Sequence, residues 1–243
     1  MKKKYSILAI NGSHREEKGF SEILMNSFLK GAESAGAEFD VFYPGRMDIK
    51  SCIACHKCIV ATPGKCIFKD DANEFIIRLM EADLFLVVAP VYFDTMPSDL
   101  KRLFERFLPM LSPVFEFRNG RTYHIKATKK TFNVITILLS GNPEKESLLS
   151  MESTFSRIFN NMDDNLIEQF LFPTSQMIAT HPDLLSGHLD ALQNAGRETV
   201  LAGKPATETV DKLNETYIYD MDADIEAKNR YFSEQVKKHC SHC

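Results

Sequence analysis

Four cysteines crowd one short stretch of the chain. Cys52, Cys55, Cys58 and Cys66 follow the spacing C-x2-C-x2-C-x7-C. Steps of three let a short loop wrap its thiolates around one cubane, and Pro63-Gly64 can turn the chain so that Cys66 returns to the other three. Four thiolates are the ligand set that a [4Fe–4S] cluster requires. A structural zinc more often takes two separated C-x2-C knuckles. The same residues can also stand as ordinary free or disulfide-prone thiols. A second group, Lys238-His239-Cys240-Ser241-His242-Cys243, could take up zinc or nickel adventitiously, but it reads as an exposed tail.

Two further loops carry a different chemistry. The segment Asn11-Gly12-Ser13-His14-Arg15-Glu16-Glu17-Lys18-Gly19-Phe20-Ser21 joins an apolar run to a helical one. Such a junction offers free backbone N–H groups and a positive helix end, which suit a phosphate. Ser13 and Ser21 add hydroxyl donors, and Arg15 adds a charge-assisted contact that can be bidentate. Neither the dinucleotide glycine pattern nor Gly-Lys-Ser/Thr is present, so the phosphate expected is of the mononucleotide kind. The plainer alternative is a polar turn with Ser21 as a helix cap and Arg15 solvated. The other loop, Pro90-Val91-Tyr92-Phe93-Asp94, follows an apolar strand directly. Backbone groups freed there can bond the edge of a heteroaromatic ring, and Tyr92 or Phe93 can cover its face. Alternatively, the two aromatics only cover the end of the sheet.

These loops must be held by strands before them and helices behind them, and the pattern supplies both. Apolar runs over Tyr5–Asn11, Phe39–Tyr43, Leu84–Ala89 and Phe132–Leu139 read as strands, with a weaker fifth over Glu168–Ile178 interrupted by Pro173. Helical spacing marks Ser21–Ser34, Ala72–Glu81, Met96–Leu108, Lys145–Asn161 and Leu184–Ala202. Asp71 with Glu74 has the spacing of a capping box. Strand and helix in alternation predict an α/β, doubly wound, five-stranded parallel sheet, with ligands at the carboxyl ends of its strands. Leu108 to Lys130, with its prolines, Asn119-Gly120 and aromatics, reads as an inserted loop or hairpin. Residues 1–204 are expected to form one unit and 205–243 a C-terminal helical extension, whose best helix is Asp222–Lys238.

Composition narrows the function classes. Lys and Arg number 29 against 33 Asp and Glu, which argues against a nucleic-acid binder. No apolar stretch is long enough to span a membrane, and Lys2, Lys3 and Lys4 precede only the short apolar run Ile7–Ile10, so a cytoplasmic chain is expected. In a reducing compartment, six cysteines suggest metal or redox chemistry before disulfides. His56, His124, His181 and His188 are isolated and read as surface or packing residues. No serine–histidine–carboxylate order suggests hydrolysis.

Asn-Gly-Ser-x-Arg near the start, Ala-Pro-Val-Tyr after the third strand, and Leu100-Lys101-Arg102-Leu103-Phe104-Glu105-Arg106 together resemble the NADPH-dependent FMN reductase branch of the flavodoxin-like superfamily. With its cysteine loop, the chain is similar to the iron–sulfur flavoproteins within that branch. The resemblance covers residues 5 to 145 well. It implies strand order 2-1-3-4-5 and bound FMN. It implies that Ser13, Arg15 and Ser21 hold the phosphate and that Pro90, Val91, Tyr92, Phe93 and Asp94 line the isoalloxazine. Ser140, Gly141 and Asn142 would complete the pocket. The chain departs from the pattern at Asp94, where a small residue is usual, at Glu105, where aspartate is common, and in lacking a double glycine after strand four. The function implied is an FMN-dependent oxidoreductase that passes electrons from NAD(P)H or ferredoxin to a small-molecule acceptor, with a [4Fe–4S] cluster on the four cysteines. A cluster-free flavin or quinone reductase and a non-enzymatic electron carrier are the alternatives. A homo-oligomer, with the 108–130 insertion as a contact surface or a lid, is also implied.

Overall fold

The computed structural model describes residues 4–175, 182–215, 217 and 220–240; Ile178, His181 and residues 241–243 of the tail lie outside them. Five parallel strands form the central sheet: β1 (Ser6–Asn11), β2 (Glu38–Phe42), β3 (Leu84–Pro90), β6 (Asn133–Leu139) and β7 (Asn165–Phe172), in spatial order β2-β1-β3-β6-β7. Allowing for an inserted hairpin, β4 (Leu111–Arg118) with β5 (Arg121–Lys126), this is the expected 2-1-3-4-5 order. The insertion is therefore a hairpin rather than an irregular loop.

Burial on both faces explains why β1, β3 and β6 are almost wholly apolar. Leu8, Ile10, Phe85, Val87 and Ala89 face one layer, and Ile7, Ala9, Leu84, Leu86 and Val88 face the other, with the period of two that a pleated strand imposes. Helices α3 (Asp71–Glu81), α4 (Ser98–Glu105) and α5 (Glu146–Asn161) cover the first face; α1 (Phe20–Ser34) and α6 (Pro182–Ala202) cover the second. Helices α1 and α6 approach backbone to backbone. A Cβ on Gly31 would lie 1.7 Å from the Gln193 carbonyl oxygen, and one on Gly196 1.9 Å from that of Phe28. The extension is helical as expected, with α7 (Thr207–Asn214) packed on α6 and α8 (Met221–His239) burying none of its residues.

Three boundaries differ from expectation, each for a local reason. The fifth strand runs Asn165–Phe172, because Pro173 has no N–H to continue the ladder. The helix expected from Met96 to Leu108 is Ser98–Glu105, bracketed by Pro97 and by a 3-10 turn containing Pro109. Asp71 and Glu74 do not form a capping box. The helix begins at Asp71 with Asp70 at its N-cap, and the Asp71 carboxylate accepts the Asp48 N–H at 2.7 Å instead.

Candidate functional site

Register brings the loops together. Asn11 pairs with Val88, Pro90 with Leu139, and Leu139 with Phe172, so the loops after β1, β3 and β6 leave one edge of the sheet. At the end of β1, Asn11 is fully buried and organises the turn. Its Oδ1 accepts the Ser13 N–H at 3.0 Å and the Ser21 hydroxyl at 2.9 Å, while its Nδ2 donates to Glu22 at 2.9 Å. The Tyr43 hydroxyl donates to the same carboxylate at 3.1 Å, and burial, followed by the Glu22 charge, pushes the phenol up to about 12. Ser13 Oγ accepts the Arg15 N–H at 3.1 Å, which leaves its own proton to donate.

Gly19 completes a cradle. A Cβ there would meet Ser13 Oγ at 2.7 Å and Ser21 Oγ at 3.2 Å, so only glycine leaves the space between the two hydroxyls open. Gly19 is also the N-cap of α1, and no side chain caps that end of the helix. Exposed Arg15 lies beside it with its guanidinium 5.4 Å from the Phe20 ring centroid. Arg46 neutralises the neighbouring acids, at 2.7 Å from Glu16 and 2.9 Å from Glu17. The donor set fits a phosphate: one free serine proton, a second hydroxyl available if it releases Asn11, an unpaired guanidinium among the described ion pairs, and a helix terminus.

The β3 loop folds as a two-residue hairpin. Tyr92 and Thr95 exchange N–H···O bonds of 2.9 and 3.2 Å, and Phe93 and Asp94 sit at φ of 52° and 62°. This primed turn favours asparagine and glycine, so a phenylalanine there is strained. The Tyr92 ring packs on His14 of the β1 loop at 4.9 Å, whereas Phe93 is 101% exposed. After β6, Ser140 is buried and spans its own loop: its Oγ accepts the Asn142 N–H at 2.9 Å and meets Ser147 Oγ at 2.8 Å. Gly141 and Asn142 are exposed beside it.

The cysteine segment leaves the same edge after β2 and the turn Pro44–Arg46. All four cysteines are free thiols; Cys58 is buried, Cys55 exposed, and Cys52 and Cys66 lie between. Ala54 and His56, on either side of Cys55, both have left-handed φ, 51° and 53°, which bends the chain sharply there. Burial is the largest cause that pushes the Cys58 thiol up, and Cys66 is the next. Among the described residues, no three His, Cys, Asp or Glu side chains are gathered tightly enough for a single metal ion. A cubane, with irons at alternate corners, sets its thiolates farther apart than a single ion does, and four free cysteines on one short segment are the donor set it takes. The short helix α2 (Lys57–Val60) packs on β4 and on the turn before it.

The neck of this segment is closed by Arg106, just past α4. Its guanidinium holds Asp70 in a bidentate pair at 2.6 and 2.9 Å and donates to the Lys50 carbonyl at 2.8 Å. Both charged side chains are essentially inaccessible, at 1% and 0% exposure.

Ser13, Ser21 and Arg15 thus share one space, the β3 and β6 loops border the same edge, and the cysteine segment lies beyond β2. Asn11, Gly19, Glu22, Tyr43 and Arg106 were missed. Asn11 and Gly19 were visible only as turn residues, and Arg106 only as part of a motif; what each does depends on partners far along the chain.

Residues 5–127 match the model of the family described as NADPH-dependent FMN reductase. An iron-sulfur flavoprotein of Methanocaldococcus jannaschii is 32% identical over 113 residues, 46% of this chain and 56% of the relative, so the match spans little more than half of that protein. Among solved structures, an azoreductase from Bacillus anthracis superposes with a TM-score of 0.62 over 80% of this chain and 99% of its own, at 12% identity. An NAD(P)H:quinone oxidoreductase from Methanothermobacter marburgensis does so with 0.59 over 80% and 98%, at 17% identity. At such identities the two structures speak for the fold alone.

Proposed function

This chain belongs to the NADPH-dependent FMN reductase family, and from that premise we propose that it is an FMN-dependent oxidoreductase. The observation that carries the reading is the open cradle between Ser13 and Ser21 at the N-terminus of α1. In the proposed complex the Ser13 hydroxyl donates to the FMN phosphate, Arg15 swings from Phe20 to pair with it, and Ser21 exchanges Asn11 for a phosphate oxygen. Pro90, Val91, Tyr92, Phe93 and Asp94 line the ring, and Ser140, Gly141 and Asn142 close the pocket. Bound FMN supplies both hydride and single-electron chemistry. The protein's part is to orient the ring and to hold the phosphate against the helix.

The four cysteines are assigned as ligands of a [4Fe–4S] cluster that feeds single electrons to the flavin site. Two observations support this: four free cysteines lie on one short segment between β2 and α3, and the similar protein of Methanocaldococcus jannaschii is named an iron-sulfur flavoprotein. Between residues 49 and 69 the chain carries Lys50, Lys57, Lys65 and Lys69, all exposed, and no acidic residue. That face suits an acidic one-electron donor such as ferredoxin, and NAD(P)H is the donor suggested by the family. The acceptor is a small molecule. A second reading, an NAD(P)H-dependent flavin or quinone reductase with plain thiols, is favoured by the matched family, described as NADPH-dependent FMN reductase.

Turnover with NADH, NADPH and reduced ferredoxin separates these readings. Ferredoxin-linked reduction that weakens steeply with salt supports the cluster reading. Turnover with pyridine nucleotide alone supports the second. Bound flavin that no donor reduces leaves only a carrier.

A further inference from the structure

Arg106 is the largest fully buried side chain in the molecule's described part, and it is a charged one. Two of its nitrogens are used at the neck of the cysteine segment, on Asp70 and the Lys50 carbonyl. The third, Nε, is buried with no hydrogen-bond partner. A buried guanidinium N–H left unmade is costly, so an acceptor is expected there. The Phe68 ring covers the guanidinium at 5.3 Å, and the Cys66 side chain is the guanidinium's next side-chain partner after Asp70. A protonated thiol is a poor acceptor; a cluster-ligating thiolate is a strong one.

We propose that Arg106 is a positioning residue for the cluster: it locks the neck of the cysteine segment through Asp70 and donates from Nε to the Cys66 sulfur. This rests on the cluster reading above. The donated bond stabilises the reduced, more negative cluster and so raises its potential. The ion pair does the structural work, and the N–H does the electronic work. The two are separable because lysine can keep the charge on Asp70 but has no counterpart of Nε in that geometry.

The test uses the full chain, purified anaerobically, as wild type and as Arg106→Lys. The expected result is full iron and acid-labile sulfide in both, with the cluster potential of Arg106→Lys shifted to a more negative value. Asp70→Asn, which keeps Nε but loosens the neck, should lose iron while the clusters that remain keep the wild-type potential. Full iron with an unchanged potential in Arg106→Lys overturns the donor role. If Arg106→Lys fails to hold iron, pulsed ENDOR of the reduced wild type labelled with 15N-arginine decides: a 15N coupling supports the bond to Cys66, and its absence overturns it. Wild type without iron after reconstitution defeats the cluster reading itself, and the donor role with it.

Discussion

At the scale of single residues, the cradle at Gly19 makes the sharpest claim. Its φ of −87° suits any residue, so Gly19→Ala alters shape without backbone strain. The added methyl would press on Ser13 Oγ, and the expected outcome is FMN binding weaker by about tenfold, which corresponds to about 1.4 kcal/mol. Fluorescence titration checks this, alongside an unchanged thermal melt of the apo-protein. Arg15→Ala removes a charge-assisted bond and should cost FMN about 1.5–3 kcal/mol of affinity. Unchanged affinity in that titration would take Arg15 out of the phosphate site. Ser13 and Arg15 could be proposed from the sequence because a strand–loop–helix junction with hydroxyls and a cation suits an anion. Arg106 could not. Its partner Asp70 lies 36 positions away, and only the packing of α4 against the cysteine segment brings the two together.

At the scale of elements, α4 links the two proposed redox sites. Leu100 at its start lies against Gly12, where a Cβ would be 2.8 Å away, and Arg106 at its end closes the cysteine neck. Six residue steps run from Leu100 to Arg106, a rise of roughly 9 Å at helical geometry. Cys55→Ala should therefore release iron and leave FMN bound, since the cradle and the cysteine segment have separate anchors. Retained iron in that variant would remove Cys55 from the ligand set. On the opposite face, α1 and α6 meet at Gly31 and Gly196. Gly31→Ala should lower the urea midpoint by the equivalent of about 1–3 kcal/mol or more, the cost of overpacking against backbone that cannot yield. β1, β3 and β6 were readable because burial on both faces makes them almost continuously apolar. The ends of α4 and β7 were less so, since Pro97, Pro109 and Pro173 act through local geometry and hydrogen-bond loss that periodicity does not register.

At the scale of the whole molecule, the C-terminal segment divides in two. Tyr217 is buried, and its ring meets that of His188, whose Nε2 lies 3.0 Å from the Glu215 carbonyl. Burial, the largest cause, holds His188 below the usual imidazole range. A folded pKa depressed in this way contributes stability that is present above the unfolded value of about 6.5 and is lost as pH falls through the folded value. The melting temperature should thus fall more between pH 7.5 and 5.5 in wild type than in His188→Gln; parallel curves would contradict this. Beyond it, α8 buries nothing and exposes Met221, Ile225, Tyr231, Phe232 and Val236, while the β4–β5 hairpin exposes Val114, Phe115 and Phe117. Apolar surface of that extent suits the homo-oligomer that the resemblance implies. Light scattering should return at least twice the chain mass of 27.6 kDa. Among the described residues no helix is long and apolar enough to cross a membrane. The most direct test of the account as a whole is the absorption spectrum, with iron and sulfide analysis, of the anaerobically purified full chain. The account predicts one FMN per chain together with a full complement of cluster iron and sulfide. A chain that takes up no flavin, even when incubated with excess FMN, would contradict it.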